Sequence, residues 1–275
     1  SQWETAEPKA DVPSRADLLS ASGTETMNGS LPRMRSESAV SPDQAKWVSL
    51  SPASDGRLVC LTDTESPTAE SFRLLGVRLR DLRRSQLLKK VLITSTVPRE
   101  GKSTVAANLA CTLAHKTEEK ILLLEGDVRR PSLSQAFDLG RVPGLCECLQ
   151  GKRSLQESLY RLEGVGLWIL PSGLAPNTSL ELLQSEKLPR LMDQLTSLFD
   201  WVIVDSPPIL PLADTSVWSR MVDGILLVSR HGVTEKKQLE RGIEALETGK
   251  LIGALLNCSK ASAYSSYYYR TSARP

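Results

Sequence analysis

Residues 91–104 read VLITSTVPREGKST, and the rest of the chain is organised around them. A β-branched apolar run leads into a short polar loop that closes on Gly101, Lys102 and Ser103, and a helical pattern follows over residues 105–110. Strand, loop and helix in this order are the context of a P-loop, where backbone amides and the helix N-terminus converge on phosphate oxygens. The alternative is a chance Gly-Lys-Ser at a helix start, but both flanking elements argue against it.

The spacing within this loop predicts individual roles. Lys102 is placed to reach the β- and γ-phosphates of a nucleotide, and the Ser103 hydroxyl to hold Mg²⁺. One position departs from the usual pattern, because Thr96 stands where the first glycine normally does. The predicted nucleotide-binding residues of the loop are Thr96, Val97, Pro98, Arg99, Glu100, Gly101, Lys102, Ser103 and Thr104.

Composition bounds the remaining possibilities. The 275 residues suffice for one large α/β domain with a tail, and the net charge of +2 gives no reason to expect nucleic acid as a partner. The longest apolar runs are too short to span a bilayer, and the first residues lack the apolar core of a signal peptide. Five cysteines, an odd number, favour reduced thiols in the cytosol.

The chain divides into three predicted regions. Residues 1–55 are rich in Ser, Pro, Glu and Thr, which predicts a disordered arm. Residues 56–260 form the predicted P-loop domain, and residues 261–275 a mobile, tyrosine-rich tail. Near the domain start, residues 57–61 predict a short extended element, and a helix begins at Pro67 with Thr68 as its cap.

Strand and helix patterns then alternate regularly. Apolar runs predict strands over residues 121–124, 167–170, 201–204, 224–229 and 251–256. Helical patterns between them cover 188–198, which Ser185 is expected to cap, as well as 213–221 and 235–246. Continuous apolar strands separated by helices indicate an α/β fold, a mostly parallel sheet with helices on both faces. Ligands of such sheets bind at the carboxyl ends of the strands.

Three acidic residues follow predicted strands at this edge. Glu125 and Asp127 come directly after residues 121–124, and Asp205 follows residues 201–204. Asp205 is placed to act as the Walker-B carboxylate through a metal-bound water, while either Asp127 or Glu125 would accept a proton from an attacking hydroxyl. The alternative is that these acids only cap the following turns.

These segments together resemble one known family. Lys102 and Ser103, LEGDVRRP at residues 124–131 and FDWVIVDSPP at residues 199–208 are similar to the bacterial tyrosine kinases of capsule and exopolysaccharide biosynthesis. The resemblance runs from about residue 67 to 269 and implies a P-loop NTPase fold of the MinD/ParA type. Where the family has Asp-x-Asp, this chain has Glu125 and Asp127.

The resemblance also implies a set of ligands. ATP and Mg²⁺ are the expected cofactors, with Ser103, Asp205 and Glu125 at the metal and Lys102, Glu125, Asp127 and Asp205 as the catalytic group. Arg129, like Arg130, is expected to steady the phosphates. Asn257, in the last matching stretch at residues 253–257, is expected at the nucleotide.

The family resemblance extends to assembly. A Glu-x-x-Arg-x-x-Arg motif ahead of the P-loop helps the family's protomers form a ring, and Glu70 and Arg73 match its first two positions. The third position is Gly76, so the ring contact is either weakened or supplied by Arg78 or Arg80. A ring-like homo-oligomer is therefore expected.

Four of the five tyrosines lie in the last twelve residues: Tyr264, Tyr267, Tyr268 and Tyr269. The surrounding Ser- and Ala-rich segment has no core to pack against, which favours a mobile substrate tail over a structural role. In the family, such a cluster receives phosphate from a neighbouring subunit.

The sequence thus predicts an ATP-dependent protein-tyrosine autokinase that phosphorylates its tail in trans and regulates exopolysaccharide polymerisation and export. By analogy, it works in the cytoplasm and is recruited to the inner face of the membrane by a separate membrane-embedded polysaccharide co-polymerase. One alternative is a MinD/ParA-like nucleotide-switch ATPase, although Val97 stands where such ATPases usually carry a lysine. The other is a non-kinase regulator of polysaccharide assembly.

Overall fold

The computed structural model describes residues 40–49, 57–115, 117–176, 179–210, 214–246 and 248–258. The predicted tyrosine tail and most of the predicted arm lie outside the described residues. None of the helices in the described ranges is both long and apolar enough to cross a membrane.

Eight strands are found in the described ranges: β1 (Lys46–Val48), β2 (Lys90–Ser95), β3 (Ile121–Glu125), β4 (Tyr160–Leu162), β5 (Leu167–Leu170), β6 (Trp201–Asp205), β7 (Gly224–Arg230) and β8 (Leu251–Asn257). The α-helices of these ranges are α1 (Val59–Thr62), α2 (Pro67–Ser85), α3 (Lys102–Ala114), α4 (Leu133–Ala136), α5 (Leu145–Gln150), α6 (Leu155–Ser158), α7 (Ser179–Leu183), α8 (Lys187–Leu198), α9 (Asp214–Met221) and α10 (Lys236–Glu244). Short 3₁₀ turns cover Pro42–Gln44 and Thr248–Lys250.

The strands form one sheet in the order β1-β4-β5-β3-β6-β2-β7-β8. All neighbouring pairs are parallel except β4 with β5. Side chains of β3 alternate between two cores: Leu122 and Leu124 face one, Ile121 and Leu123 the other. Apolar packing on both faces explains why the inner strands read as continuous apolar runs. The prediction of a mostly parallel sheet covered on both sides is confirmed.

The topology brings the predicted acidic residues to one edge. β6 lies between β2 and β3, and Asp205 at its end is in register with Glu125 of β3 and Ile93 of β2. The P-loop follows β2, and α3 begins directly after it at Lys102. The loop and the acidic strand ends therefore meet at the carboxyl edge of the sheet.

The predicted arm is wrong for residues 46–48, which form the edge strand β1 beside β4. Side chains hold this segment in place. Trp168 donates from its indole Nε1–H to the Pro42 carbonyl at 2.8 Å. The Arg161 guanidinium lies between two indoles, 4.3 Å from the Trp47 ring centre and 4.6 Å from that of Trp168.

The prediction of an extended element at residues 57–61 is also wrong, because Val59–Thr62 forms one helical turn, α1. The buried Asn108 of α3 holds this turn: its side-chain amide donates to the Arg57 carbonyl at 2.8 Å, and its oxygen accepts from Cys60 N at 3.1 Å. The partner that bends the chain thus lies about fifty residues away.

Two caps differ from the prediction. Ser66, not Thr68, caps α2, and its hydroxyl accepts a hydrogen bond from Ala69 N at 3.2 Å. Ser185 does not cap α8, since its hydroxyl donates back to the Leu182 carbonyl. Both helices otherwise lie where the apolar spacing places them.

Helix α9 packs against the turn after β3. Trp218, fully buried, donates from Nε1–H to the Gly126 carbonyl at 3.2 Å. A Cβ at Gly126 would lie 2.8 Å from the Trp218 ring and 3.1 Å from the Asp205 carbonyl oxygen. A side chain between Glu125 and Asp127 would therefore have to displace the Trp218 ring.

Gly126→Ala is expected to lower the free energy of unfolding by roughly 1–3 kcal/mol, because the methyl group overpacks the Trp218 contact. Gly249→Ala is the matched control, since no heavy atom lies within 4 Å of a Cβ there. Urea unfolding of both variants checks this. Equal losses in the two would contradict the packing argument.

Candidate active site

The P-loop owes its shape to two residues in the left-handed region. Arg99 has φ 68° and Gly101 has φ 91°. A Cβ at Gly101 would clash with the side-chain amide of Asn257. That amide donates to the Glu100 carbonyl at 2.9 Å, so Asn257, predicted at the nucleotide, braces the loop from the end of β8.

The Glu100 side chain points into the protein rather than towards a ligand. It is fully buried, and its carboxylate accepts hydrogen bonds from Val97 N at 2.8 Å and from the Thr234 hydroxyl. Glu100, predicted as a nucleotide-binding residue, thus ties the loop to the turn before α10.

The P-loop has Thr96 where a glycine is usual, and a glycine in another helix leaves space for the threonine side chain. Its side chain is fully buried, and a Cβ at Gly242 of α10 would approach its Oγ1 and Cγ2 to 2.9 Å. Because Gly242 has no side chain, α10 can pack directly on the loop. The Thr96 carbonyl accepts a hydrogen bond from Leu210 N at 3.0 Å.

Lys102 lies between two carboxylates at the start of α3. Its ammonium is 2.9 Å from Asp127 Oδ2 and 3.9 Å from Asp205 Oδ1, and it donates to the Ser103 hydroxyl at 3.3 Å. Burial lowers the pKa of Lys102, but the attraction of Asp205 and Asp127 outweighs it, so the pKa is raised overall. The structure thus brings together four predicted site residues: Lys102, Ser103, Asp127 and Asp205.

Asp205 is the most constrained acid of the site. Its side chain is 1% exposed, and among the described residues neither of its oxygens accepts a hydrogen bond of normal geometry. Burial raises the pKa of the Asp205 carboxyl to about 7, although the Lys102 charge and the nearby Ser103 hydroxyl act in the opposite direction. A buried oxygen without a donor is suited to a cation or to its bound water.

This arrangement fits Mg²⁺. The ion is usually held by one or two carboxylates together with water and substrate phosphates, rather than by a full set of protein ligands. The Ser103 hydroxyl and the Asp205 carboxylate, whose oxygens accept no hydrogen bond of normal geometry from the described residues, are such oxygen ligands. No cluster of three or more His, Cys, Asp or Glu side chains suited to a metal occurs in the described ranges.

Glu125, in contrast, is occupied by backbone amides. It is fully buried, and its Oε1 accepts from Ser132 N and Leu133 N, both at 2.6 Å, while Oε2 accepts from Ser172 N at 2.9 Å. It does not line the cavity around Lys102. The structure therefore does not place Glu125 with the predicted catalytic and metal-binding group.

The site residues border a cavity of about 730 Å³ at the carboxyl edge of the sheet. It is lined by Arg57, Pro98, Arg99, Gly101, Lys102, Ser103, Thr104, Asp127, Arg129, Arg130, Ser132 and Pro208. Its volume lies in the range of small-ligand sites. Four arginines make it suited to an anion.

Arg129 is fixed by a partner that the sequence analysis missed. Its guanidinium donates from Nε to Asp214 Oδ2 at 2.7 Å and from a terminal nitrogen to Oδ1 at 3.2 Å. Asp214 is fully buried at the start of α9. Arg57, also missed, lines the cavity, and Asn108 holds its backbone carbonyl there through a contact that no local pattern signals.

The predicted oligomerisation residues pair with each other within one chain. Arg73 donates from Nε to the Glu70 carboxylate at 2.6 Å, on an exposed part of α2. Arg80, considered as a substitute for the third motif position, instead contacts Glu119 and the Leu113 carbonyl.

The buried Asp205 makes stability depend on pH. Its carboxyl ionises near pH 4 when unfolded but at about pH 7 when folded, so folding stability falls as pH rises through that interval. In the absence of Mg²⁺, Asp205→Asn should therefore be more stable than the unsubstituted chain at pH 8, by roughly 4 kcal/mol, and equally stable near pH 4. Urea unfolding against pH measures this. Asp193→Asn, on the exposed face of α8, controls for the lost charge, and a gain at pH 8 no larger than the control's would contradict the argument.

Comparisons with known proteins find tyrosine-protein kinases among the chain's relatives. No protein-family model matches the chain. It is 37% identical over 217 residues to tyrosine-protein kinase YwqD of Bacillus subtilis, covering 78% of this chain and 91% of that protein. Tyrosine-protein kinase ptk of Acinetobacter johnsonii is longer: the match, at 30% identity, covers 73% of this chain and 27% of ptk.

Solved structures with a similar fold include two with named proteins. The crystal structure of the chimerical protein CapA2B2 matches with a TM-score of 0.71 at 30% identity, over 75% of this chain and 91% of that one. The septum site-determining protein MinD of Pyrococcus horikoshii, complexed with Mg-ADP, matches at 22% identity with a TM-score of 0.53, over 64% of this chain and 72% of MinD, and confirms the fold alone. From the extent and identity of the match to YwqD, the chain belongs to the bacterial tyrosine-protein kinases.

Proposed function

We propose that this protein-tyrosine kinase transfers the γ-phosphoryl group of ATP to the tyrosines of a second copy's tail, and so regulates the polymerisation and export of a capsular or extracellular polysaccharide. The observation that carries the proposal is the convergence of Lys102, Asp127 and Asp205 on one arginine-lined cavity. The kinase names of its relatives support the reaction, and the sequence resemblance supports the process.

The loop and its lysine would bind the triphosphate. Backbone amides at the α3 N-terminus favour negative charge, and the Lys102 ammonium would move from Asp127 to the β- and γ-phosphates. Ser103 and Asp205 would hold Mg²⁺, which neutralises charge on the phosphates when bound. Arg129, oriented by Asp214, and Arg130 border the same cavity and would steady the transferred group.

Asp127 is the proposed base for the acceptor hydroxyl. It is 3% exposed, and its Oδ1 is oriented by a hydrogen bond from Arg130 N at 3.1 Å. Its other oxygen faces Lys102, so movement of the lysine to a nucleotide would free that oxygen for a tyrosine hydroxyl. We give Glu125 no share in this step, because its oxygens are taken by amides.

The proposed setting is a ring of copies in the cytoplasm, held at the inner face of the membrane by a separate polysaccharide co-polymerase. Likeness to a chimera named for two components, CapA2 and B2, supports a partner polypeptide. Glu70 and Arg73 would form the ring contact by exchanging their mutual ion pair for pairs across the interface.

Lys102→Met should abolish phosphotyrosine formation, because the charge that stabilises the transferring phosphoryl group is lost. An effect of about a hundredfold or more is expected for one such group. Phosphotyrosine blotting of purified protein with Mg-ATP measures it. Lys236→Met, an exposed lysine on α10, is the control. Circular dichroism must accompany the assay, because Lys102 is only 12% exposed and contacts two acids. Autophosphorylation unchanged in folded Lys102→Met would assign the reaction to another site.

Transfer between copies is tested by mixing two full-length chains. One is Lys102→Met, which keeps its tyrosines; the other is active but carries phenylalanine at positions 264, 267, 268 and 269. Phosphate is expected on the Lys102→Met chain, where mass spectrometry detects its added mass and electrophoretic mobility its added charge of about −1.5 to −2.

The mixture also tests dissociation. As phosphate accumulates, the tail's positive charge from Arg270 and Arg274 is overturned, so light scattering should show the copies separating. Unmodified tyrosines in the Lys102→Met chain, with the active chain still hydrolysing ATP, would contradict transfer in trans.

A further inference from the structure

A second cavity, of about 580 Å³, lies beside the nucleotide cavity and has no part in the steps described so far. One wall is residues 128–142, after β3, and the other is residues 172–175, after β5. Its lining combines apolar residues (Val128, Pro131, Val142, Leu174 and Ala175) with polar ones, among them Gln135, Asp138 and Arg141. We refer to it as the acceptor cleft, for the reasons that follow.

A single strip of chain separates the two cavities. Within residues 128–132, Arg129, Arg130 and Ser132 line the nucleotide cavity, whereas Val128 and Pro131 line the acceptor cleft. The strip begins directly after Asp127, the proposed base. A peptide lying in the cleft would therefore have its neighbouring residues at the entrance to the cavity where the phosphoryl group is transferred.

Glu125 joins the two walls of the cleft. Through Oε1 it accepts the amides of Ser132 and Leu133 in one wall. Through Oε2 it accepts Ser172 N from the other wall at 2.9 Å, and the Ser134 hydroxyl at 3.3 Å. A fully buried carboxylate with four donors from both walls fixes their separation.

A second carboxylate holds the wall formed by residues 172–175. Glu147 of α5 accepts Leu174 N at 3.0 Å through Oε1 and Gly144 N at 2.8 Å through Oε2. A Cβ at Gly173 would clash with the same carboxylate. The loop at 172–175 is thus held on both sides, so the cleft exists before any peptide binds.

The tail has the reach and the chemistry to occupy this cleft. It follows β8, which ends at the same carboxyl edge of the sheet, and residues 259–275 lie beyond it. From Cys258 an extended chain reaches about 20 Å at Tyr264 and about 36 Å at Tyr269. Four strand spacings of about 4.8 Å, roughly 19 Å in all, separate β8 from β3, so the segment is long enough to cover a distance of this order from its own sheet edge. Its aromatic rings suit the apolar part of the lining, and its tyrosine hydroxyls the polar part.

We propose that the acceptor cleft binds the tyrosine-rich tail of a second copy, at residues flanking the tyrosine being phosphorylated, and that Glu125 is a positioning residue for this cleft. The proposal rests on the proposed transfer between copies and adds the place where the acceptor is held. It also assigns a role to Glu125 that a metal ligand would not have.

The test uses full-length donors that carry phenylalanine at the four tail positions, with the Lys102→Met chain as acceptor. Leu174→Asp in the donor places a charge on the cleft wall at a side chain that is 63% exposed, so the fold should tolerate it. It should raise the acceptor KM at least about tenfold and leave the KM for ATP unchanged. Leu87→Asp is the matched control, since Leu87 is 96% exposed and lies just before the amino-terminal end of β2. It should change neither the acceptor KM nor the KM for ATP.

Glu125→Gln in the donor separates positioning from metal binding. Glutamine keeps one acceptor oxygen, so the walls loosen and the acceptor KM should rise, while the Mg²⁺ concentration for half-maximal rate stays the same. A shift in that concentration without a change in acceptor KM would overturn the positioning role.

Three results thus have distinct meanings. An acceptor KM raised by Leu174→Asp and not by Leu87→Asp supports the cleft. Equal acceptor KM values for the Leu174→Asp and unsubstituted donors overturn the cleft and leave transfer between copies standing. If the donor with an unchanged Leu174 puts no phosphate on the acceptor tail, the proposed transfer between copies is overturned. The tail is then also excluded as the occupant of the cleft.

Discussion

The attraction between the Lys102 ammonium and the carboxylates of Asp127 and Asp205 is the interaction on which the site depends. Asp205 ends β6, Asp127 lies two residues after the end of β3, and Lys102 begins the helix that follows β2. Without the cation, two buried acids would face each other with no compensation, at a cost of several kcal/mol. The parallel pairing of β3, β6 and β2 is what brings these charges within reach of one another.

This arrangement also explains how a nucleotide would change the site. In the structure the lysine neutralises Asp127, so the group proposed to accept a proton is engaged. A triphosphate offers the lysine stronger negative charge and would draw it away. Binding of the first substrate and readiness for the second would thus be linked through one side chain.

Local patterns located the P-loop between β2 and α3, Ser103 at the start of α3 and Asp205 at the end of β6, because each position depends on its neighbours in sequence. Partners from distant segments account for the differences. Glu100 is buried because Thr234 meets it from before α10, and Glu125 because amides at 132 and 172 surround it. Neither contact leaves a local trace. Likewise, β1 is three residues long, and its strand conformation depends on pairing with β4 and on the contacts that Trp168 and Arg161 make with its segment.

The strand order also separates the first and last strands of the described sheet. β1 and β8 occupy the two opposite edges of the sheet, with six strands and hence roughly 34 Å between them. A partner bound at the β1 edge would therefore leave the β8 edge of the sheet uncovered.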